Sequence, residues 1–190
     1  MNIFALDNDP RVAAQMQCDK HVVKMVLESA QMLSTAHRML DGHLILEPSK
    51  SGKRNVKRWV LDDQDLDNNL YKAVHMNHPC TIWTRECSAN YLWHYQHFVA
   101  LCDEYQYRYC RTHLTDRKLR TDLLRLPANI PYSKTTTPMR MAMFEDCKVS
   151  DDPVECYRNY YQTKQSRFSM HWTGRKIPHW FHFYDEEYVL

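Results

Sequence analysis

Apolar positions recur with helical spacing over much of the chain. From Ala89 to His113, the residues Tyr91, Tyr95, Phe98, Cys102, Tyr105 and Tyr109 alternate at steps of four and three, which marks one apolar face of a long helix. From Val12 to about Leu40 the pattern is again helical, with a break allowed near Cys18. Two Asp-Pro pairs, Asp9-Pro10 and Asp152-Pro153, are start signals. Aspartate accepts from the free N–H groups of a first turn, and proline there has no N–H to leave unpaired. The second pair predicts a helix to about Phe168. Short helices are expected around Leu66–Val74 and Thr115–Leu124, and His78-Pro79 opens another helical stretch. Residues 2–6 read as a short extended lead and 41–58 as a loop. Residues 127–149, with three prolines and Thr135-Thr136-Thr137, read as irregular. The expected fold is all-α or mostly α: a compact single-domain helical bundle over residues 1–190, with a short extended N-terminal segment and an irregular C-terminal tail.

Composition narrows the chemistry. Only three glycines are present, and neither G-x-x-x-x-G-K nor G-x-G-x-x-G occurs, so P-loop and dinucleotide-binding readings drop out. Seven cysteines at irregular spacing, with no C-x-x-C, argue against a disulfide framework or zinc ribbon and for a reducing cytoplasm. No signal peptide and no membrane contact are expected, since no long apolar run exists. A net charge of +2 means that nucleic-acid binding must come from local patches. The candidates are Lys50, Lys53, Arg54, Lys57 and Arg58; Arg117, Lys118 and Arg120; and Arg175 and Lys176. A solvated surface is the plainer reading of each run taken alone.

The first long helix carries a thin polar strip. At 100° per residue, His21, Lys24, Glu28, Gln31 and Thr35 fall within one narrow arc. Val22, Val23, Met25, Val26, Leu27, Ala30, Met32, Leu33 and Ala36 cover most of the rest, which predicts a helix buried on most sides. Such a strip is either a solvent face, with Lys24 and Glu28 a surface pair four residues apart, or a working surface. An imidazole, an amine, a carboxylate and an amide in a row suit acid–base or imine chemistry.

Asp19-Lys20-His21, with Glu28 seven residues after the histidine, is similar to the first helix of the phage pyrimidine-dimer DNA glycosylases of the ultraviolet endonuclease type. The stretch Glu104-x-x-x-Arg108 with His113 resembles that family's second long helix. The tail with Trp172, Arg175, Lys176 and Trp180 resembles its aromatic C-terminus. The resemblance implies a small helical DNA glycosylase with abasic-site lyase activity, without a cofactor, acting on damaged duplex DNA. It implies that the chain's α-amino group, on Met1, attacks the sugar C1′, that Glu28 is the catalytic carboxylate, and that His21 is its DNA-side neighbour. The specific match spans about the first forty residues. Residue 2 is Asn2 where the family has a small residue, and Leu27 and Gln31 stand where the family's arginines would be. The same segment also resembles a group of large-phage proteins, from which no activity carries over.

An α-amino group titrates at about 7.7–8.0 and a lysine at about 10.4, so the terminal amine is the readier nucleophile at neutral pH. Lys24 is the alternative amine. Base extrusion needs wedges, and the tail aromatics or the 127–149 segment are the candidates. His94-x-x-His97 with Glu104 and Arg108 forms a second polar stripe. It reads either as part of a metal site with Cys18, Asp19 and His21 or, the favoured choice, as a buried network joining two helices. Metal is therefore not expected. Two other functions stay open: an enzyme acting on a small nucleotide or modified base, and a non-catalytic phage factor that binds a host protein.

Overall fold

Two long helices form the spine. Helix α2 (Asp19–Asp41) packs along α5 (Ser88–Tyr109), and α1 (Pro10–Gln15), α4 (Pro79–Glu86) and α6 (Leu114–Leu119) lie against them. Helix α3 spans Gln64–Asn69, α7 spans Pro153–Gln162, and a hairpin of β1 (His43–Pro48) and β2 (Asn55–Val60) follows α2. The computed structural model describes residues 1–184, and among them the fold is mostly helical.

The predicted start signals work as caps. Asp9 Oδ1 accepts from Arg11 N–H at 2.7 Å, and Asp152 Oδ1 accepts from Val154 N–H at 2.9 Å, each with proline at the next position. The break at Cys18 is real: its backbone is extended (φ −70°, ψ 163°) and separates α1 from α2. Helix α7 stops at Gln162, and a 3-10 turn over Thr163–Ser166 continues it towards Phe168. The expected helix at 66–74 is α3, shifted towards the N-terminus and ending before Leu70.

The core joins Val22, Met25, Val26 and Leu33 of α2 to Tyr91, Phe98, Leu101 and Cys102 of α5 and to Tyr157 and Tyr161 of α7, all 1% exposed or less. Each fully buried aliphatic or phenylalanine side chain contributes about 1.5–3 kcal/mol. Two expectations about helix faces need correction. Val23 and Leu27 are 40% and 38% exposed, so α2 shows solvent a partly apolar edge beside its polar strip. On α5, Tyr95, Tyr105 and Tyr109 are only half-buried, whereas His94, His97, Glu104 and Arg108 are buried. Two of these tyrosines reach backbone carbonyls near the surface with their hydroxyls. Tyr95 donates to Arg120 O at 2.9 Å and Tyr109 to Asp19 O at 3.3 Å.

Residues 41–58 are not a loop. β1 and β2 pair antiparallel, with His43 opposite Val60 and Pro48 opposite Asn55. Alternation drives the pairing: Ile45, Val56 and Val60 turn towards one face, and the more exposed Leu44, Leu46 and Lys57 share the other. Gly52, at φ 67°, makes the turn. The density of lysine and arginine in this stretch masked a strand pattern. Arg58 is spent on Glu47, at 2.6 Å, while Lys53, Arg54 and Lys57 stand exposed.

Both tail tryptophans pack against the fold, whereas Phe183 and Tyr184 are exposed. Trp172 is 6% exposed and donates its indole N–H to Met16 O at 2.8 Å, and half-buried Trp180 meets Tyr161 edge-on. The acidic end of the tail, residues 185–190, lies outside the described residues. No described helix is long and apolar enough to cross a membrane, and all seven cysteines are free thiols.

Candidate active site

The extended lead brings the chain's first residue to the middle of α2. Ile3, Phe4, Ala5 and Leu6 are buried, and the Met1 side chain packs with Ile3, Met32, Cys80 and Trp83. Asn2 donates its amide N–H to Ala142 O at 2.8 Å and accepts Phe4 N–H at 3.0 Å. Gln17 donates to Ile3 O at 3.1 Å. Phe4 sits at φ 54°, a left-handed conformation that costs a non-glycine residue about 1 kcal/mol or more and is held by these contacts.

Pinned in this way, the Met1 α-amino nitrogen lies 3.5 Å from Glu28 Oε2. The other carboxylate oxygen, Oε1, lies 3.3 Å from Lys24 Nζ. Glu28 is 15% exposed and Lys24 63%, so the carboxylate sits at the mouth of a recess and the lysine on its rim. The recess is a cavity of ≈ 210 Å³, closed on its far side by Tyr160, Lys164, Arg167 and Phe168 from the end of α7 and the turn after it. His21 lies in its floor, 7% exposed, stacked on the Phe4 ring (centroids 4.7 Å apart) with Nδ1 2.7 Å from the Tyr161 hydroxyl. Burial, and then the charges of Lys24 and Lys164, push its pKa down to about 3, so the ring is neutral. An imidazole in that position supports the floor and is screened from a large ligand by Phe4.

Lys164 and Arg167 are absent from the strip read on α2, because they come from more than a hundred residues downstream. Lys164 is 5% exposed, with its ammonium 3.3 Å from the Tyr160 ring centroid and 5.9 Å from that of Phe4. Burial, with Arg167 and Lys24 nearby, lowers its pKa to about 8. The one local signal was Tyr160 four residues before Lys164, which puts ring and amine on one helical face. Of the other α2 strip residues, Thr35 caps a different junction, donating to Gln31 O at 2.7 Å and accepting Val74 N–H at 3.1 Å. Gln31 does not line the cavity.

The stripe on α5 is a buried network. Arg108 donates to Gln17 O at 2.8 Å, Gln15 O at 3.0 Å and Asp19 Oδ1 at 2.9 Å, and its Nε donates to Glu104 Oε2 at 3.0 Å. Arg175 closes on the other Glu104 oxygen and lies over the Tyr107 ring at 4.3 Å. Arg175, 32% exposed, is therefore paired with Glu104, whereas Lys176, Arg117 and Lys118 are exposed. His94 Nδ1 meets Thr84 Oγ1 at 2.7 Å, and His97 Nε2 meets Gln17 Nε2 at 3.3 Å. Among the described residues, no three His, Cys, Asp or Glu side chains converge on a possible metal position. Arg108→Met should destabilise the fold by about 3–5 kcal/mol, because it leaves the Gln15 and Gln17 carbonyls without their donor and strips the buried Glu104 of one of its two arginines. Urea unfolding measures this, and a loss below about 1 kcal/mol would contradict the network.

Comparison with protein-family models, with curated proteins and with solved structures returned no match. The chemistry therefore has to be read from the cavity. Its lining carries four cationic groups (the Met1 amine, Lys24, Lys164 and Arg167) and one carboxylate, Glu28. Larger cavities exist, one of ≈ 390 Å³ beside Asp103, Glu104 and Arg175 and one of ≈ 370 Å³ beside Trp83 and Trp93. In the first, the carboxylates are already paired with Arg120, Arg108 and Arg175. The second is lined mainly by apolar and neutral side chains. Of these three cavities, only the smallest combines amines and a carboxylate among the described residues.

Proposed function

We propose that the protein is a DNA-lesion glycosylase with abasic-site lyase activity, working through an imine on its α-amino group. The observation that carries this reading is the 3.5 Å approach of the Met1 amine to Glu28 at the mouth of a cationic recess. In the proposed sequence the amine attacks the sugar C1′ and the damaged base leaves. The sugar ring opens to an iminium ion, and loss of a C2′ proton expels the 3′ phosphate. Glu28 stabilises the iminium cation and is placed to take that proton. The recess, at ≈ 210 Å³, falls below the roughly 300–1,000 Å³ usual for whole small-molecule ligands, which favours an extruded sugar over a free nucleotide. Exposed Lys53, Arg54, Lys57, Arg117, Lys118 and Lys176 are the proposed phosphate contacts. The exposed Tyr132 and Phe144, with Phe183 and Tyr184 of the tail, are the proposed wedges.

Incubation with a duplex carrying one abasic site, in the presence of borohydride, should give a covalent adduct with its mass on the Met1 peptide. Binding should weaken steeply from 50 to 200 mM salt. Tight binding of damaged duplex with no trapped adduct would overturn the mechanism. Thermal stabilisation by a mononucleotide, with weak and salt-insensitive DNA binding, would point to an enzyme of small nucleotides instead.

A further inference from the structure

Lys164 is the one buried amine of the recess that the sequence above leaves unused. It lies across the cavity from α2, on the turn that follows α7, with its Nζ over the Tyr160 ring and near Phe4. It makes no hydrogen bond or ion pair among the described residues, although it is 5% exposed. Its charged neighbours are cations, Arg167 and Lys24, and the only carboxylate lining the cavity among the described residues is already in contact with Met1 and Lys24. A lysine that is desolvated, close to other cations and without a counter-ion among the described residues has the environment of a nucleophile rather than of a surface charge.

We infer that Lys164 is a second imine-forming amine of this cavity, set to react with an aldehyde that carries a neighbouring anionic group. The inference rests on the imine reading of the site and extends it to a second attacking atom. In the step itself, the Nζ lone pair adds to the aldehyde carbon. The nitrogen loses two protons, the carbonyl oxygen leaves as water, and a carbon–nitrogen double bond remains. Arg167 and Lys24 hold the anionic group, a phosphate of the DNA strand or a carboxylate of a small ligand. The fall of the lysine from 10.5 to about 8 raises its deprotonated fraction at pH 7.5 by roughly two orders of magnitude. The groups that set this value are Arg167 and Lys24, which lower it after burial does, and Cys147, which raises it.

The probe is glyoxylate, a small anionic aldehyde, with cyanoborohydride at pH 7.5, followed by peptide mapping of the intact protein and of Lys164→Arg. Reductive labelling at Lys164 should run at least about tenfold faster than at exposed Lys57 and Lys134, and should rise less steeply than theirs between pH 7.5 and 9. Lys164→Arg, checked by its melting temperature, should keep labelling at the Met1 amine. Labelling of Lys164 no faster than of the exposed lysines would overturn the inference. The abasic-duplex trap is run in parallel. Glyoxylate on Lys164 with no trapped DNA leaves this inference standing and removes the DNA reading. Trapped DNA on Met1, with Lys164 inert to glyoxylate, does the reverse.

Discussion

Glu28→Gln should cut strand cleavage at an abasic site by about 10²–10⁴-fold, the usual range for losing a positioned acid–base group. The substitution keeps the shape of the side chain and removes its charge. In the native site, both carboxylate oxygens face amines, Oε2 towards Met1 at 3.5 Å and Oε1 towards Lys24 at 3.3 Å. A neutral amide cannot balance an iminium cation and is far too weak a base to take the C2′ proton. Stability should change little, by about 1 kcal/mol, since Lys24 is well exposed and its pair is screened. A gel assay for cleavage, read beside the borohydride adduct, separates the two steps. Imine formation should survive in part while elimination falls. Cleavage within about threefold of the native rate, in a folded variant, would remove Glu28 from the chemistry.

The second large effect is on stability in acid. His21 and His97 have pKa values pushed down to about 3, His37 to about 4, and His94 is lowered as well, in every case first by burial. Above pH 6.5 these rings are neutral in both the folded and the unfolded chain, so their full contribution is present. As pH falls below 6.5 the unfolded chain takes up protons that the folded chain refuses, and stability drops until the folded pKa values are reached. Each unit of that interval is worth about 1.36 kcal/mol per fully shifted group. Even one such ring removes about 3 kcal/mol by pH 4, and several together match a typical total of about 5–15 kcal/mol. Asp19 and Asp67, held low by hydrogen bonds and by Arg108 and Arg38 against the opposing effect of burial, lose their contributions only at lower pH still. The melting temperature should therefore be flat from pH 8 to 7, fall steeply below 6, and reach an unfolded chain near pH 4. A melting temperature unchanged down to pH 4.5 would mean that the rings are hydrated in solution.

Most of the helices were legible because their signals are local. Asp9-Pro10 and Asp152-Pro153 cap helices wherever they pack, and the Tyr91-to-Tyr109 periodicity needs no partner to be read. The hairpin was hidden because Lys53, Arg54 and Lys57 look like a solvated loop until His43–Pro48 pairs with Asn55–Val60. Burial on α5 was harder to read than periodicity. Charged Glu104 and Arg108 lie deeper than Tyr105 and Tyr109, because Arg108 satisfies the free carbonyls at the end of α1, a long-range bond invisible in local sequence.

The chain alone determined a helical architecture, its start points and a polar strip holding His21, Lys24 and Glu28, since caps and amphipathic faces depend on neighbours within a few residues. It did not determine which way that strip looks. Tertiary packing decided that Met1 meets Glu28, that His21 sinks into the floor, and that Lys164 and Arg167 complete the recess. Those juxtapositions arise because Asn2 is tied to Ala142 and α7 lies across the lead, contacts between segments some 140 residues apart.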